Sequence, residues 1–377
     1  MTAEKDPSIT GRPGDDVWSF VELIATHQGI DAPPDERAEL IRRPDFDHGR
    51  LVEQAMRHGL LAALADLLNR HGLRRDLPAR LRAPVMAALR HNEYRAHFLT
   101  TEAARLAGTL AEAGLTCAFT KGVVLQNSLY AVPGIRNFND VDLMIAPGDR
   151  EPVRAALLDA GFTAGTDFDP GTKELRPLSR GDARMYQMSP DHWPHFHRLT
   201  GDLGVPDVAV DVANSLTWHG GPWQVPMDEV MAGVVPARVT DEVTLPTLSP
   251  VDTFLFLCLH VFRESWIVRT ARRKDVSLAQ FVDVVRHWTL QPPGTRAEIA
   301  AAVARFGLAD PIAWVCGHTD TLFGSGIVAE LGLSGHARPE WLASAGAGPG
   351  QRLMWSGDIR ERLRTPAPCD FTAAVAS

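Results

Sequence analysis

The chain has 377 residues, 45% of them hydrophobic and 22% charged, a balance that belongs to a folded globular protein and excludes disorder for the bulk of it. Its formal net charge of -8, from 38 basic and 46 acidic residues, provides no overall attraction to nucleic acid or an anionic membrane. The cysteines Cys117, Cys258, Cys316 and Cys369 are far apart and form no CxxC pair, which argues against a disulfide framework or a zinc knuckle.

Residues 1–16 are polar, contain Gly and Pro, and read as a loose arm without the apolar centre of a signal peptide. The most apolar run further on, "VDTFLFLCLHVF", is too short to span a bilayer, so the expectation is a cytoplasmic protein with reduced thiols. From 17 to 114 the pattern is helical. Leu51, Ala55, Leu60, Leu64, Leu67 and Leu68 recur at broadly helical spacing up to a stop at Gly72. Ala103, Leu106, Leu110 and Ala113 form a second stripe that ends at Gly114.

The period then changes to two. Leu115, Cys117 and Phe119 predict a strand, followed by a short helix starting near Lys121 and Gly122 and ending before the Pro133-Gly134 turn. In a second strand Val141, Leu143 and Ile145 take one face, leaving Asp140 and Asp142 together on the other. Asp149 is positioned to cap a helix running to Gly161. Residues 163–205, rich in Gly, Pro, Asp and His, predict loops and irregular strands. In "PDVAVDVANSL" Val208, Val210 and Val212 face one way and Asp211 the other, which gives a third carboxylate on a strand.

From 248 the chain is helical again, with Ser249 as N-cap, Pro250 at the first helical position and Asp252 closing the cap. Leu278, Phe281, Val282 and Val285 predict the core stripe of the next helix. The "ASAGAGPG" tract from Ala343 to Gly350 reads as a loop, and the segment after it as a loose tail. The resulting division is an arm (1–16), an N-terminal helical region (17–114), an α/β core (115–247), a C-terminal helical region (248–342) and a loop with tail (343–377).

Burying two neighbouring carboxylates needs compensation, because each raises the other's pKa and desolvation penalises both. Asp140 and Asp142, two positions apart on one strand face, have Cα atoms about 7 Å apart and can converge on one hard cation. Oxygen-only ligands suit Mg²⁺, which usually recruits substrate phosphates as well. Asp211 would allow a second Mg²⁺ or a base for an attacking hydroxyl. Lys121 and Gly122, where a strand feeds a helix, make an anion site from free N–H groups and a point charge. Arg136 supplies a second positive contact or locks its loop by pairing with an aspartate.

The stretch "TKGVVLQNSLYAVPGIRNFNDVDLMI" resembles the hallmark of the uncharacterised nucleotidyltransferase family, a branch of the polymerase-beta-like nucleotidyltransferase superfamily. The resemblance rests on Lys121, Gly122, Leu125, Tyr130, Gly134, Arg136, Asp140 and Asp142, in order, and extends more loosely from about residue 45 to 290. It implies an α/β (α+β) core with a small mixed sheet flanked by helical regions. It also implies Mg²⁺-dependent transfer of a nucleoside monophosphate from an NTP to a hydroxyl-type acceptor on a small molecule or peptide, with pyrophosphate released. On this reading Asp140, Asp142 and Asp211 are catalytic and hold two Mg²⁺ ions, while Lys121, Gly122, Arg136 and Asn139 contact the nucleotide. Two departures stand out: Lys121-Gly122 replaces the superfamily's Gly-Ser, and "VDVANSLTWHG" replaces an acidic-Leu-His-Trp signature, with Trp218 and His219 displaced along the chain.

Plainer readings accompany these. Asp211 is also a candidate exposed residue on an edge strand, Lys121 a surface lysine and Tyr130 helix-end packing. His195 and His197 form a His-x-His pair able to bind a transition metal, but nothing close in sequence completes a ligand set. With His192 they therefore read as a loop lining the acceptor pocket or a surface segment, and a His-dependent metal hydrolase is a weak rival. His260 reads as a core histidine, Asp283 as a surface charge or acceptor contact, and "RTARRKD" from Arg269 as a solvated loop. The alternative to an enzyme is a catalytically silent nucleotide-binding or scaffold protein that retains the fold.

Overall fold

A computed structural model describes residues 13–27, 36–187, 191–273, 276–348, 350–365 and 369–373. The N-terminal helices are α1 (Pro13–Thr26), α2 (His48–Arg57), α3 (Leu61–Arg70) and α4 (Ala79–Glu112). Leu99, Ala103, Leu106 and Leu110 repeat at helical spacing along α4 and all are buried. At 34 residues α4 is about 50 Å long. It stops at Gly114, whose φ of 71° lets the Leu115 N–H reach back to the Leu110 carbonyl.

The α/β part follows as β1 (Cys117–Thr120), α5 (Lys121–Leu129), β2 (Asp140–Ile145), α6 (Arg150–Asp159), β3 (Thr163–Ala164), β4 (Thr166–Asp169), β5 (Glu174–Pro177), α7 (Arg180–Gln187), β6 (Phe196–Leu199), β7 (Asp207–Ala213), α8 (Met227–Ala232), β8 (Val235–Arg238) and β9 (Thr244–Thr247). Seven of these strands form one mixed sheet in the order β3-β6-β7-β2-β1-β9-β8. β2 runs parallel to β7 and antiparallel to β1, so the acidic strands lie in the middle of the sheet.

Alternation along the central strands sorts residues between two cores. Val141, Leu143, Ile145, Val208, Val210 and Val212 pack with Leu99 of α4 and with Val153 and Leu157 of α6. On the opposite face Met144 and Ala213 join a larger core shared by α1–α3 and the C-terminal helices α9 (Pro250–Trp266), α10 (Val268–Ala271), α11 (Leu278–Leu290), α12 (Pro293–Arg305) and α13 (Ala309–Phe323). Asp140 and Asp142 have the same parity as Met144 and therefore face the cleft between the sheet and these helices.

One imidazole ties remote parts of this helical layer together. His58, at the end of α2, has Nε2 3.1 Å from the Leu363 carbonyl, Nδ1 accepts from the Leu278 N–H at 3.3 Å, and its own carbonyl accepts from Ser277 Oγ. These bonds suit a neutral ring with the proton on Nε2. Burial, aided by Arg57, pushes the His58 pKa down to about 4.

Several expectations are corrected. The stripe from Leu51 to Leu68 is two helices, not one, because Gly59 turns the chain at φ 69°. Helix α1 begins at Pro13, inside the expected arm, while residues 1–12 lie outside the described residues. Asp149 precedes α6 but makes no side-chain cap. On α11 Val284 is buried and Val285 only partly so. The "ASAGAGPG" tract is a strand, β10 (Ser344–Gly348), paired with β11 (Gln351–Trp355), and the tail contributes β12 (Phe371–Ala373). Its small residues have a packing cause, since a Cβ on Gly346 would lie 2.2 Å from the Trp266 ring. The basic run after Arg269 is partly α10, and its Lys274 and Asp275 lie outside the described residues. Among the described residues no helix is long and apolar enough to cross a membrane.

Candidate active site

The site is a row of side chains across the middle of the sheet. Register pairs Thr120 with Asp142, and Asp142 with Asp211, so two carboxylates from parallel neighbouring strands stand side by side. Asp140 lies two residues earlier on the same face and is partly exposed, whereas Asp142 and Asp211 are only 4% and 8% exposed. Asp211 is thus on a central strand, not the exposed edge position that the plainer reading allowed.

Where β1 turns into α5, Lys121 adopts a φ of 42°, a left-handed conformation costing a non-glycine residue about 1–3 kcal/mol. The distortion brings its ammonium to the acids: Nζ is 2.6 Å from Asp142 Oδ1 and 3.8 Å from Asp211 Oδ2. Burial works against this charge, but Asp142, Asp211 and Asp140 hold the lysine pKa above its ordinary value. Thr120 provides no side-chain cap, which leaves the first N–H groups of α5 without that partner. Gly122 is small for a reason the sequence did not reveal: a Cβ there would lie 2.6 Å from the Phe138 ring.

The electrostatics divide the two buried acids. Burial pushes the Asp142 carboxyl up to about 7 against the pull of Lys121, with Asp140 and Asp211 adding to the rise. Burial also opposes charge on Asp211, yet His192, Lys121 and His195 together hold it well below the usual carboxylate range. His192 Nδ1 is 3.1 Å and His195 Nε2 3.7 Å from Asp211 Oδ1. His197 points elsewhere and bonds Asp207 at 3.0 Å.

Arg136 is drawn away from the carboxylate row. Its guanidinium grips Asp283 of α11 through contacts of 2.8 to 3.2 Å, and Tyr130 donates to the same carboxylate at 2.6 Å. The Arg136 N–H in turn donates to Gln126 Oε1. Asp283 is therefore a buried anchor for the loop before β2, neither a surface charge nor an isolated acceptor contact, and Tyr130 does more than pack. Asn139 is exposed at the rim of a cavity of about 300 Å³ that includes Lys121, Asp140 and Asp142. Its far wall carries Leu60, His260, Gln280 and Arg286; His260, expected in the core, is a partly buried wall residue.

A mixed sheet bearing clustered aspartates on a cleft face, enclosed by helices, is the α+β architecture of a nucleotidyltransferase-like core. The chain belongs to the family described as uncharacterised nucleotidyltransferase, whose sequence model matches residues 44–324, from just before α2 to the end of α13. No curated protein matches it.

Proposed function

We propose that the chain transfers a nucleoside monophosphate from an NTP to a hydroxyl or similar acceptor on a small molecule or peptide, releasing pyrophosphate, with Mg²⁺ as cofactor. The observation that carries this reading is the adjacency of Asp142 and Asp211 on parallel strands, beside Asp140 and under the ammonium of Lys121, on a cleft face. Family membership supports the reaction class.

The donor set fits a divalent cation. Asp140 and Asp211 offer oxygens near each other, and the Lys121 ammonium sits closest to Asp142. Asp140 and Asp211 would hold an ion directly; Asp142 would join once Lys121 moves to a phosphate. The Lys121 ammonium reaches Asp142 and Asp211, so Asp142 would be the carboxylate least available to a second ion. The chemistry Mg²⁺ supplies when bound is neutralisation of charge on the polyphosphate.

The chain's own residues do the rest. Lys121 and the uncapped amides of α5 face developing phosphate charge. Asp211, whose carboxyl is held well below the usual range, stays ionised and is suited to holding a cation; its catalytic part is to anchor that charge, because so weak a base takes up the acceptor's hydroxyl proton poorly. Arg136 acts through Asp283, fixing the loop that presents Asn139 and Asp140, and Asn139 meets the nucleotide at the cavity rim.

The test is release of pyrophosphate from each of the four NTPs with Mg²⁺ and a broad acceptor panel, comparing wild type with Asp140→Asn. Transfer in the wild type and its loss in the variant are expected; no transfer with any pair overturns the proposal. The Lys121–Asp142 contact favours one second reading, a silent nucleotide-binding or scaffold protein, because it withdraws a carboxylate from an ion. Nucleotide binding without turnover would support that alternative.

A further inference from the structure

We infer that His195 is a ligand of the metal site, so that the ion at Asp140 and Asp211 is held by two carboxylates and one imidazole and is Mn²⁺ in preference to Mg²⁺. The inference rests on the proposed carboxylate site but not on the identity of the reaction.

Register creates the juxtaposition. Strand β6 runs antiparallel to β7, with Phe196 opposite Val210 and His197 opposite Ala209. His195 lies immediately before β6, and its Nε2 comes within 3.7 Å of Asp211 Oδ1, while Asp211 faces Asp142 on its other side. The row is thus His195, Asp211, Asp142, with Asp140 alongside. One ligand atom each from Asp140, His195 and Asp211 lie within 4.8 Å of one another.

The spacing fits coordination better than a hydrogen bond. At 3.7 Å from Asp211 Oδ1, His195 Nε2 is beyond hydrogen-bond reach. Around one ion with bonds of about 2.1 Å, adjacent ligand atoms lie about 3 Å apart and opposite ones about 4.2 Å, and the observed separation falls between. His192 takes the other task. Its Nδ1 is within hydrogen-bond distance of Asp211 Oδ1, at 3.1 Å, and orients that carboxylate from behind. The His195 side chain is 36% exposed, so it stands at the solvent side of the group.

An imidazole changes which ion the site prefers. Oxygen-only sites suit Mg²⁺, whereas a nitrogen donor favours the transition series, in which Mn²⁺ also tolerates carboxylates, waters and phosphates. The segment carrying His195 is not surplus to the nucleotidyltransferase core, because it completes the ligand set that the sequence alone left incomplete.

The experiment loads the full chain with Mn²⁺ alone and reads the bound ion by pulsed EPR, with Mn²⁺ and Mg²⁺ affinities measured by competition. Wild type is expected to show ¹⁴N coupling from one imidazole and to bind Mn²⁺ more tightly than Mg²⁺. His195→Ala should lose the coupling and weaken Mn²⁺ at least about tenfold, since removing a direct ligand costs no less than removing an outer partner. His192→Ala should keep the coupling. Circular dichroism and thermal unfolding identify a variant that fails to fold, and in that event His195→Gln, which keeps polarity without the ring, replaces it in the same test. Bound Mn²⁺ without ¹⁴N coupling in the wild type, or coupling that survives in the His195 variant, overturns the inference. Coupling without transfer from any NTP refutes only the proposed function; transfer without coupling refutes only the role of His195.

Discussion

Asp142 and Asp211 are register partners on adjacent parallel strands, and the Lys121 ammonium reaches both, at 2.6 and 3.8 Å. Two buried acids thereby share one base, which leaves them in unequal states and gives the site a dependence on pH and on added cations.

The first consequence concerns stability without metal. Burial pushes the Asp142 carboxyl up to about 7, so at this one group the folded state binds more protons than the unfolded state between about pH 4 and 7. Stability supplied by protonated Asp142 is present at the acidic end of that window and is lost as the pH rises through it. Buried His58, His287 and His318, whose pKa values are pushed down, work in the opposite sense in both proteins, so the test is a difference: in EDTA the stability of wild type relative to Asp142→Asn, from urea unfolding, should fall from pH 5 to pH 8. An equal slope in both proteins removes the assignment.

Lys121→Met should destabilise the metal-free protein by about 3–5 kcal/mol, because it strands buried carboxylates without their partner. Added Mn²⁺ or Mg²⁺ should raise the melting temperature of this variant more than that of wild type, since a divalent ion replaces the missing charge. Calorimetric scans with and without metal measure both effects.

The Asp283 anchor predicts an order of severity. Arg136→Ala leaves the Asp283 carboxylate buried with Tyr130 as its remaining bond from this loop, and should cost about 3 kcal/mol or more. Tyr130→Phe removes a hydroxyl while Arg136 still satisfies the acid, and should cost about 1 kcal/mol. Chemical denaturation of the two variants checks the order, and a larger effect of Tyr130→Phe would falsify the role given to Arg136.

Two glycines near the site differ in what confronts an added methyl group. At Gly122 the obstacle is the Phe138 ring, a side chain that can shift, and alanine there should cost about 1–3 kcal/mol. At Gly134 the φ is 75° and the obstacle is the Glu93 backbone N–H nitrogen at 2.4 Å, so alanine should be the more damaging change. Soluble yield and melting temperature of the pair provide the comparison.

The period-two pattern was enough to read Asp140 and Asp142 as neighbours on one strand face and Asp211 as a residue opposite its valines. The end of that pattern before Lys121 and Gly122 also marks the start of a helix there, and α5 begins at Lys121. Contacts set by long-range register were not legible. Asp283 lies 147 residues from Arg136, and nothing local marks it as the partner. His195 meets Asp211 because the residue just before β6 is carried to the end of β6's antiparallel pairing with β7, a long-range placement that no local pattern marks. Small residues carry two opposite meanings in this chain. The small residues of β10 resemble a loop in sequence, yet Gly346 serves close approach to Trp266, and Gly59, inside an apolar stripe, turns the chain between two helices.

His58 has a bearing on biosynthesis. Its ring and carbonyl bond partners 219, 220 and 305 positions further along the chain, and neighbouring Gly59 and Leu60 form part of the cavity wall. The core that α1–α3 share with α9 and α11 should therefore be completed only after residues near 290 have been made, and the His58 bond to Leu363 later still. The groove closes late in translation, and a nascent chain arrested before that point should be a client for chaperones instead of a partly working enzyme.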